Sequence, residues 1–142
     1  MADVFTREKR SEIMRSIKGK NTKPEMFVRR ALHAAGYRFR TNVRGMPGTP
    51  DVLFTKRRAV VQVHGCFWHS HDCDWGHGKR PKTNKKYWHK KLDDNVARDL
   101  RSRQMLEAMG FSVAVVWECD IAKRPLRVVR CLKAFLGARR VE

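Results

Sequence analysis

The sequence predicts an α/β fold in which a mixed sheet is covered by helices on both faces. Two observations predict it. The hydrophobic periodicity reads helix, three strands, helix, strand, helix, an order that layers helices over a sheet. The chain also has 142 residues of which 42% are hydrophobic, enough to close one compact core but not two. A single domain over residues 1–142 is expected, with an N-terminal arm at 1–20 and a core at 21–137.

The elements follow in order. Arg7 to Ile17 carries Ile13, Met14 and Ile17 at helical spacing among many charges, and reads as an arm ending in a short helix. Thr22-Lys23-Pro24-Glu25 sets a capping residue three ahead of a carboxylate. Phe27, Ala31 and Ala34 then share a face until Gly36 stops the helix. Tyr37, Phe39, Thr41 and Val43 alternate with Arg38, Arg40, Asn42 and Arg44, the period of a strand with one buried and one basic side. Gly45 to Pro50 is a turn that delivers Asp51 to the apolar run Val52-Leu53-Phe54. Lys56-Arg57-Arg58 turns the chain into a second buried strand, Ala59 to Val63. Cys66 to Lys86 has no sustained period, and a loop of that length needs a cross-link or ligand to hold a shape. Tyr87 to Met109 reads as a long helix with Trp88, Leu92, Val96 and Leu100 on its buried stripe. Phe111 to Trp117 is the most apolar run and a central strand, and Val128, Leu132 and Phe135 mark a closing helix.

Charge narrows the partners. Lys and Arg number 32 against 14 Asp and Glu, a formal net charge of +18, and the natural counter-surface is a polyanion. Nucleic acid is favoured over an anionic membrane, because no apolar stretch approaches the roughly 20 residues of a span and the basic residues are not confined to one amphipathic helix. Met1 to Lys20 is charged throughout, without a basic-then-apolar leader, so a reducing compartment is expected in which cysteines are thiols or metal ligands.

Four of the six histidines and two of the four cysteines lie between His64 and His77. Thiolates clustered with imidazoles favour tetrahedral zinc. Cys66, His71 and Cys73 supply three ligands, and Cys119, directly after the central strand, is the natural fourth. Cys131, beside Leu132, reads as core filling. Phosphodiester cleavage needs oxygen ligands for a hard cation and a group that manages a proton. Asp51 with Gln62 and His64 on the neighbouring strand fits that need, in a Pro-Asp pattern that has glutamine and histidine where nucleases commonly carry an acid and a lysine. The ordinary role of an aspartate ending a turn is a cap, and Glu25 is equally explained by its capping box. Phe67, Trp68 and Trp88 flank a charged loop and are suited to wedging open a base stack, although Trp88 also begins a helix stripe. Lys79, Arg80, Lys82, Lys85 and Lys86 form a basic loop suited to non-specific phosphate contact.

The string His64-Gly65-Cys66-Phe67-Trp68-His69-x-His71-x-Cys73, with Pro47-Gly48-x-Pro50-Asp51 before it and Trp117-Glu118-Cys119 after it, resembles the very-short-patch repair endonuclease family. The likeness runs from the N-terminal arm to about Cys119. It implies a restriction-endonuclease-like nuclease domain with a four-stranded mixed sheet, nicking DNA 5′ to the thymine of a T:G mismatch left by deamination of 5-methylcytosine. By that resemblance Asp51 and the main-chain carbonyl of Val63 hold magnesium. His69 handles the proton, Asp99 orients it, and Glu25 and His64 complete the catalytic centre. The same likeness assigns a structural zinc to Cys66, His71, Cys73 and Cys119, and base-stack intercalation to Phe67, Trp68 and Trp88. It also implies functional links to a DNA cytosine-5 methyltransferase and to mismatch-repair proteins; a monomer in the cytoplasm at the nucleoid is expected. This chain departs from the pattern at Val63, where threonine can occur, and at Ser70 and Asp72, where histidines can occur; a carbonyl ligand survives the first change. Two rivals explain part of the same residues: a non-catalytic zinc module that recognises distorted DNA, and a related nuclease that acts on other mismatches or on unmodified sites.

Overall fold

The computed structural model describes residues 22–76 and 80–137. The arm expected over 1–20, the helix read at 7–17, and the positions of His77 and Lys79 lie outside them. The first described helix, α1 (Lys23–Ala34), starts as its sequence dictates: the Thr22 side chain accepts the Glu25 N–H while the Glu25 carboxylate accepts the Thr22 N–H, a complete capping box. Three strands follow, β1 (Arg40–Thr41), β2 (Val52–Phe54) and β3 (Ala59–His64), each antiparallel to the next. The long helix α2 (Lys85–Ala108) then crosses to β4 (Ser112–Trp117), which pairs parallel to β3 from Ala59↔Ser112 to His64↔Trp117. A parallel neighbour demands such a crossover, since a tight turn can only reverse direction. A short helix α3 (Glu118–Lys123) and a closing helix α4 (Pro125–Leu136) complete the order, and the sheet runs β1-β2-β3-β4.

Alternation along the strands divides the core. Val52, Phe54, Val61 and Val116 face α1 and α4, packing with Val28, Leu32, Val128, Leu132 and Leu136. Leu53, Val60 and Val113 face the other way, against Leu106 near the end of α2. Helices therefore cover both sheet faces, as expected. The basic turn between β2 and β3 ties this arrangement at its base: Arg57 donates to the Leu136 carbonyl at the end of α4 (2.7 Å) and Arg58 to the Met109 carbonyl at the end of α2 (2.8 Å). Cations suit those positions, because the last carbonyls of a helix carry partial negative charge.

Three expectations are corrected. The strand read from Tyr37 to Val43 shrinks to Arg40–Thr41, since Asn42 turns to φ 48° and Tyr37 instead buries its ring and donates its hydroxyl to the Gly137 carbonyl (2.6 Å). The stripe of α2 is buried at Leu92 and Leu106, whereas Val96 and Leu100 are 42% and 57% exposed, because the middle of the helix stands over an open cleft rather than over sheet. Cys131 is exposed. The buried arc of α4 is set by Val128, Leu132 and Leu136, and at about 100° per residue Cys131 falls outside it.

Candidate active site and metal centre

The turn before β2 is built to present one carboxylate. Gly48 sits at φ 73° with the Ser102 Cβ only 2.9 Å from where its own would be, so a side chain is excluded on both counts. Gln62, 9% exposed, donates to the Gly48 carbonyl (3.5 Å) and accepts the Asp51 N–H (3.1 Å), which commits it to holding the turn. Asp51 thus ends beside β3, where its Oδ2 accepts the Val63 N–H at 2.7 Å. Glu25, at the start of α1 and 3% exposed, faces it. Burial pushes the Asp51 carboxyl up to about 7, and the neighbouring charge of Glu25 adds to the rise while the Val63 N–H opposes it. Arg29 supplies one positive charge here, its Nη2 3.4 Å from Glu25 Oε1 and close enough to oppose the rise at Asp51; the paired carboxylate oxygens are donors of the kind that suit a hard divalent cation.

Beyond Val63 the strand delivers His64, and the turn after it delivers His69. Their rings stack at 3.8 Å with planes 5° apart. His69 Nδ1 lies 2.5 Å from Asp99 Oδ2 on α2, so that its Nε2 is left for substrate or water. Burial, followed by the nearby His69, lowers His64 to about 4, and its ring is neutral at neutral pH. His64, His69 and Asp99 have donor atoms within 4.8 Å of one another. The direct His69 to Asp99 bond uses two of these donors on each other, the arrangement of an oriented proton acceptor.

The loop after β3 is folded by its own main chain, with the His71 N–H on the Cys66 carbonyl (3.0 Å) and the Gly76 N–H on that of Cys73 (3.1 Å). It brings Cys66, His71 and Cys73 to Cys119 in α3, all donor atoms within 4.8 Å. His71 Nδ1 is 3.7 Å from Cys66 Sγ and 3.4 Å from Cys119 Sγ. A tetrahedron with Zn–S of about 2.3 Å and Zn–N of about 2.0 Å sets its corners roughly 3.5–3.8 Å apart, so the donor set fits zinc. Desolvation raises the thiols of Cys119 and of Cys66, the latter to about 12. Only a bound cation would hold them as thiolates there. The Cys119 N–H also donates to Cys66 Sγ (3.3 Å).

Phe67, Trp68 and Trp88 converge, with centroids 5.0 Å apart for Phe67 and Trp68, 5.9 Å for Phe67 and Trp88, and 6.1 Å for Trp68 and Trp88. All three are half-buried, a body held by neighbours with an edge left over. Lys91 lies over Trp68 at 6.0 Å, adding a cation at the same place. Glu25, Asp51, Val63, His64, Phe67, Trp68, His69 and Asp99 all line one cleft of about 1520 Å³ between the sheet and α2.

The basic loop is corrected in part. Arg80 is turned inward, its side chain 10% exposed, and it donates to Ser70 Oγ and Asp93 Oδ1 (2.9 Å each) and meets His89 Nδ1 (2.7 Å). Sequence reasoning also missed Tyr87, which is 58% exposed beside Trp88, and Trp117, whose ring meets those of His64, His69 and His71. An aromatic pair opening a helix was the available signal for Tyr87. For Trp117 the signal was its place in the Trp117-Glu118-Cys119 motif, which carried the resemblance but no role for the indole, since a tryptophan ending an apolar strand reads as core.

Paired acids suited to a cation, an imidazole bonded to a carboxylate, and a basic chain around a mixed sheet fit one class, the DNA endonucleases of restriction-endonuclease-like fold. The family model described as DNA mismatch endonuclease Vsr matches residues 2–75. A type II nicking enzyme of Xanthomonas oryzae pv. oryzae, V.XorIIP, is 47% identical over 122 residues, covering 86% of this chain and 88% of the relative. The type II nicking enzyme V.NmeAIP of Neisseria meningitidis is 42% identical over 94% of this chain and 98% of its own, and the DNA mismatch endonuclease Vsr of Escherichia coli is 38% identical over 87% and 78%. The chain belongs to the Vsr family of DNA mismatch endonucleases.

Proposed function

We propose that this protein nicks one DNA strand 5′ to the thymine of a T:G mismatch arising from 5-methylcytosine deamination, and so begins very-short-patch repair. The observation that carries the reading is the juxtaposition, in one cleft, of the Asp51 and Glu25 carboxylates with a His69 imidazole bonded to Asp99. In this reading Asp51 and the Val63 carbonyl hold magnesium, which supplies positive charge where phosphate and leaving oxygen gain negative charge. His69 takes the proton of the attacking water at Nε2, and Asp99 keeps Nδ1 engaged so that Nε2 faces the phosphate. His64, neutral and stacked on His69, fixes the plane of that ring. Glu25 keeps the local charge negative enough to favour a divalent cation. Cys66, His71, Cys73 and Cys119 hold a zinc whose work is structural, fixing the turn that carries Phe67, Trp68 and His69. The three aromatics Phe67, Trp68 and Trp88 enter the stack at the mismatch, where unstacking is cheapest.

The whole of residues 1–142 acts as one nuclease domain, the arm at 1–20 included. It works as a monomer in the cytoplasm at the nucleoid, on lesions that follow from a DNA cytosine-5 methyltransferase, alongside general mismatch-repair proteins. Among the described residues no helix is long and apolar enough to cross a membrane. A second reading is favoured by the names of relatives: two type II nicking enzymes are more similar, at 47% and 42%, than the mismatch endonuclease at 38%. It keeps the chemistry and changes the bases recognised around the nick. End-labelled duplexes that differ only in one mispair and its neighbours decide between them. Nicking of T:G alone, on the thymine strand, supports the proposal; equal nicking of G:G or fully paired duplex would overturn it.

A further inference from the structure

We propose that Trp117 is a positioning residue for nicking, one that carries the geometry of the cysteine and histidine centre across to His64 and His69; this rests on the nicking reading above. Trp117 ends β4 and pairs with His64 at the end of β3. That register puts an indole where three imidazoles converge. Its ring stacks on His71 with centroids 4.0 Å apart and planes at 11°. Towards the cleft it meets His64 at 5.2 Å and 76°, and His69 at 6.5 Å and 71°.

An imidazole is soft about its outer torsion, and one hydrogen bond does not fix its plane. The bond to Asp99 anchors one nitrogen of His69 but lets the ring hinge about that contact. Stacking with His64 removes the hinge only if His64 is itself held. Trp117 does that, because its own position is set twice, by pairing in the sheet and by the stack on His71. An ordering of the donor set at His71 therefore reaches the reacting imidazole through ring contacts alone. The location excludes a simple core role: Trp117 is half-buried and lines the cleft.

The test compares Trp117→Leu and Trp117→Phe with the unaltered protein by three measurements: metal released to a chromophoric chelator, affinity for a T:G duplex, and single-turnover nicking. Both variants are expected to keep the metal and bind DNA within about two-fold, while nicking falls on the order of 30-fold for leucine, since errors near 1 Å in placement cost about 100-fold. Phenylalanine, which restores a ring, is expected to recover to within about five-fold. Wild-type nicking by the leucine variant, a phenylalanine variant no better than leucine, or metal lost in step with rate would each overturn the proposal. His69→Ala separates the two levels. If it nicks undiminished, the reading of the cleft has failed; if it is silent while Trp117→Leu is unaffected, only this inference has.

Discussion

The Nδ1 of His69 and the Oδ2 of Asp99 lie 2.5 Å apart, although they are 30 residues apart in the chain and sit on a turn and on α2. An imidazole so engaged is held in one tautomer with Nε2 left open, which suits the proton acceptor of the proposed reading. Asp99→Asn keeps the shape and removes the charge. Nicking is expected to fall on the order of 100-fold or more with duplex affinity unchanged, measured by single-turnover cleavage and gel shift. A loss confined to affinity would assign Asp99 to DNA binding.

The cysteine and histidine loop is tight around Gly76. A Cβ there would stand 2.3 Å from the His71 carbonyl oxygen and 2.7 Å from that of Cys66. Backbone cannot yield as a flexible side chain can, so Gly76→Ala is expected to destabilise by roughly 1–3 kcal/mol and to release metal at lower chelator concentration. A melting temperature and chelator titration identical to those of the unaltered protein would contradict the packing described.

Two shifted groups oppose one another in their pH dependence. Asp51 is raised from 3.8 to about 7, so its contribution to stability is full below 3.8 and lost as pH rises through about 7. His64 is lowered from 6.5 to about 4, so its contribution is full above 6.5 and lost as pH falls through about 4. Between about 4 and 6.5 the two slopes offset. Without added divalent cation, Asp51→Asn leaves the histidine slope uncompensated. Its melting temperature is expected to fall more steeply on acidification than that of the unaltered protein, and parallel curves would refute the assignment.

Arg80 and its basic neighbours separate by role. Arg80→Met breaks bonds to Ser70 and Asp93 and is expected to cost about 1–3 kcal/mol of stability. Lys82→Met and Lys86→Met, both at exposed positions, are expected to leave stability alone and each to reduce the salt dependence of DNA binding by a slope of about 1. Melting curves and binding isotherms at several salt concentrations check both halves.

Much of this was legible in the residues, for reasons that also mark where legibility ended. Pro50-Asp51 and the run from His64 to Cys73 concentrate rare chemistry in short stretches, so their grouping needs no long-range information. The capping box at Thr22 and Glu25 is likewise local, yet the contact of Glu25 with Asp51 is set by the tertiary fold. Asp99 came only with the family resemblance, because one aspartate on a charged helix has no local signature. Val96 and Leu100 fall on the stripe that periodicity marks as buried, but periodicity reports a face and not what lies beneath it; here a cleft does. The strand expected from Tyr37 is trimmed at both ends, by the long-range bond of Tyr37 to Gly137 before it and by the positive φ at Asn42 after it, neither of which the side-chain alternation shows.

In the proposed reading the carboxylate at position 51 serves hydrolysis rather than folding or grip. The most direct measurement is the nicking of a T:G duplex in magnesium by Asp51→Ala, with binding to the same duplex and chelatable metal recorded alongside. Unchanged metal at the cysteine and histidine centre, binding within about two-fold, and nicking reduced on the order of 1,000-fold are expected. Nicking at the wild-type rate by that variant would contradict that reading.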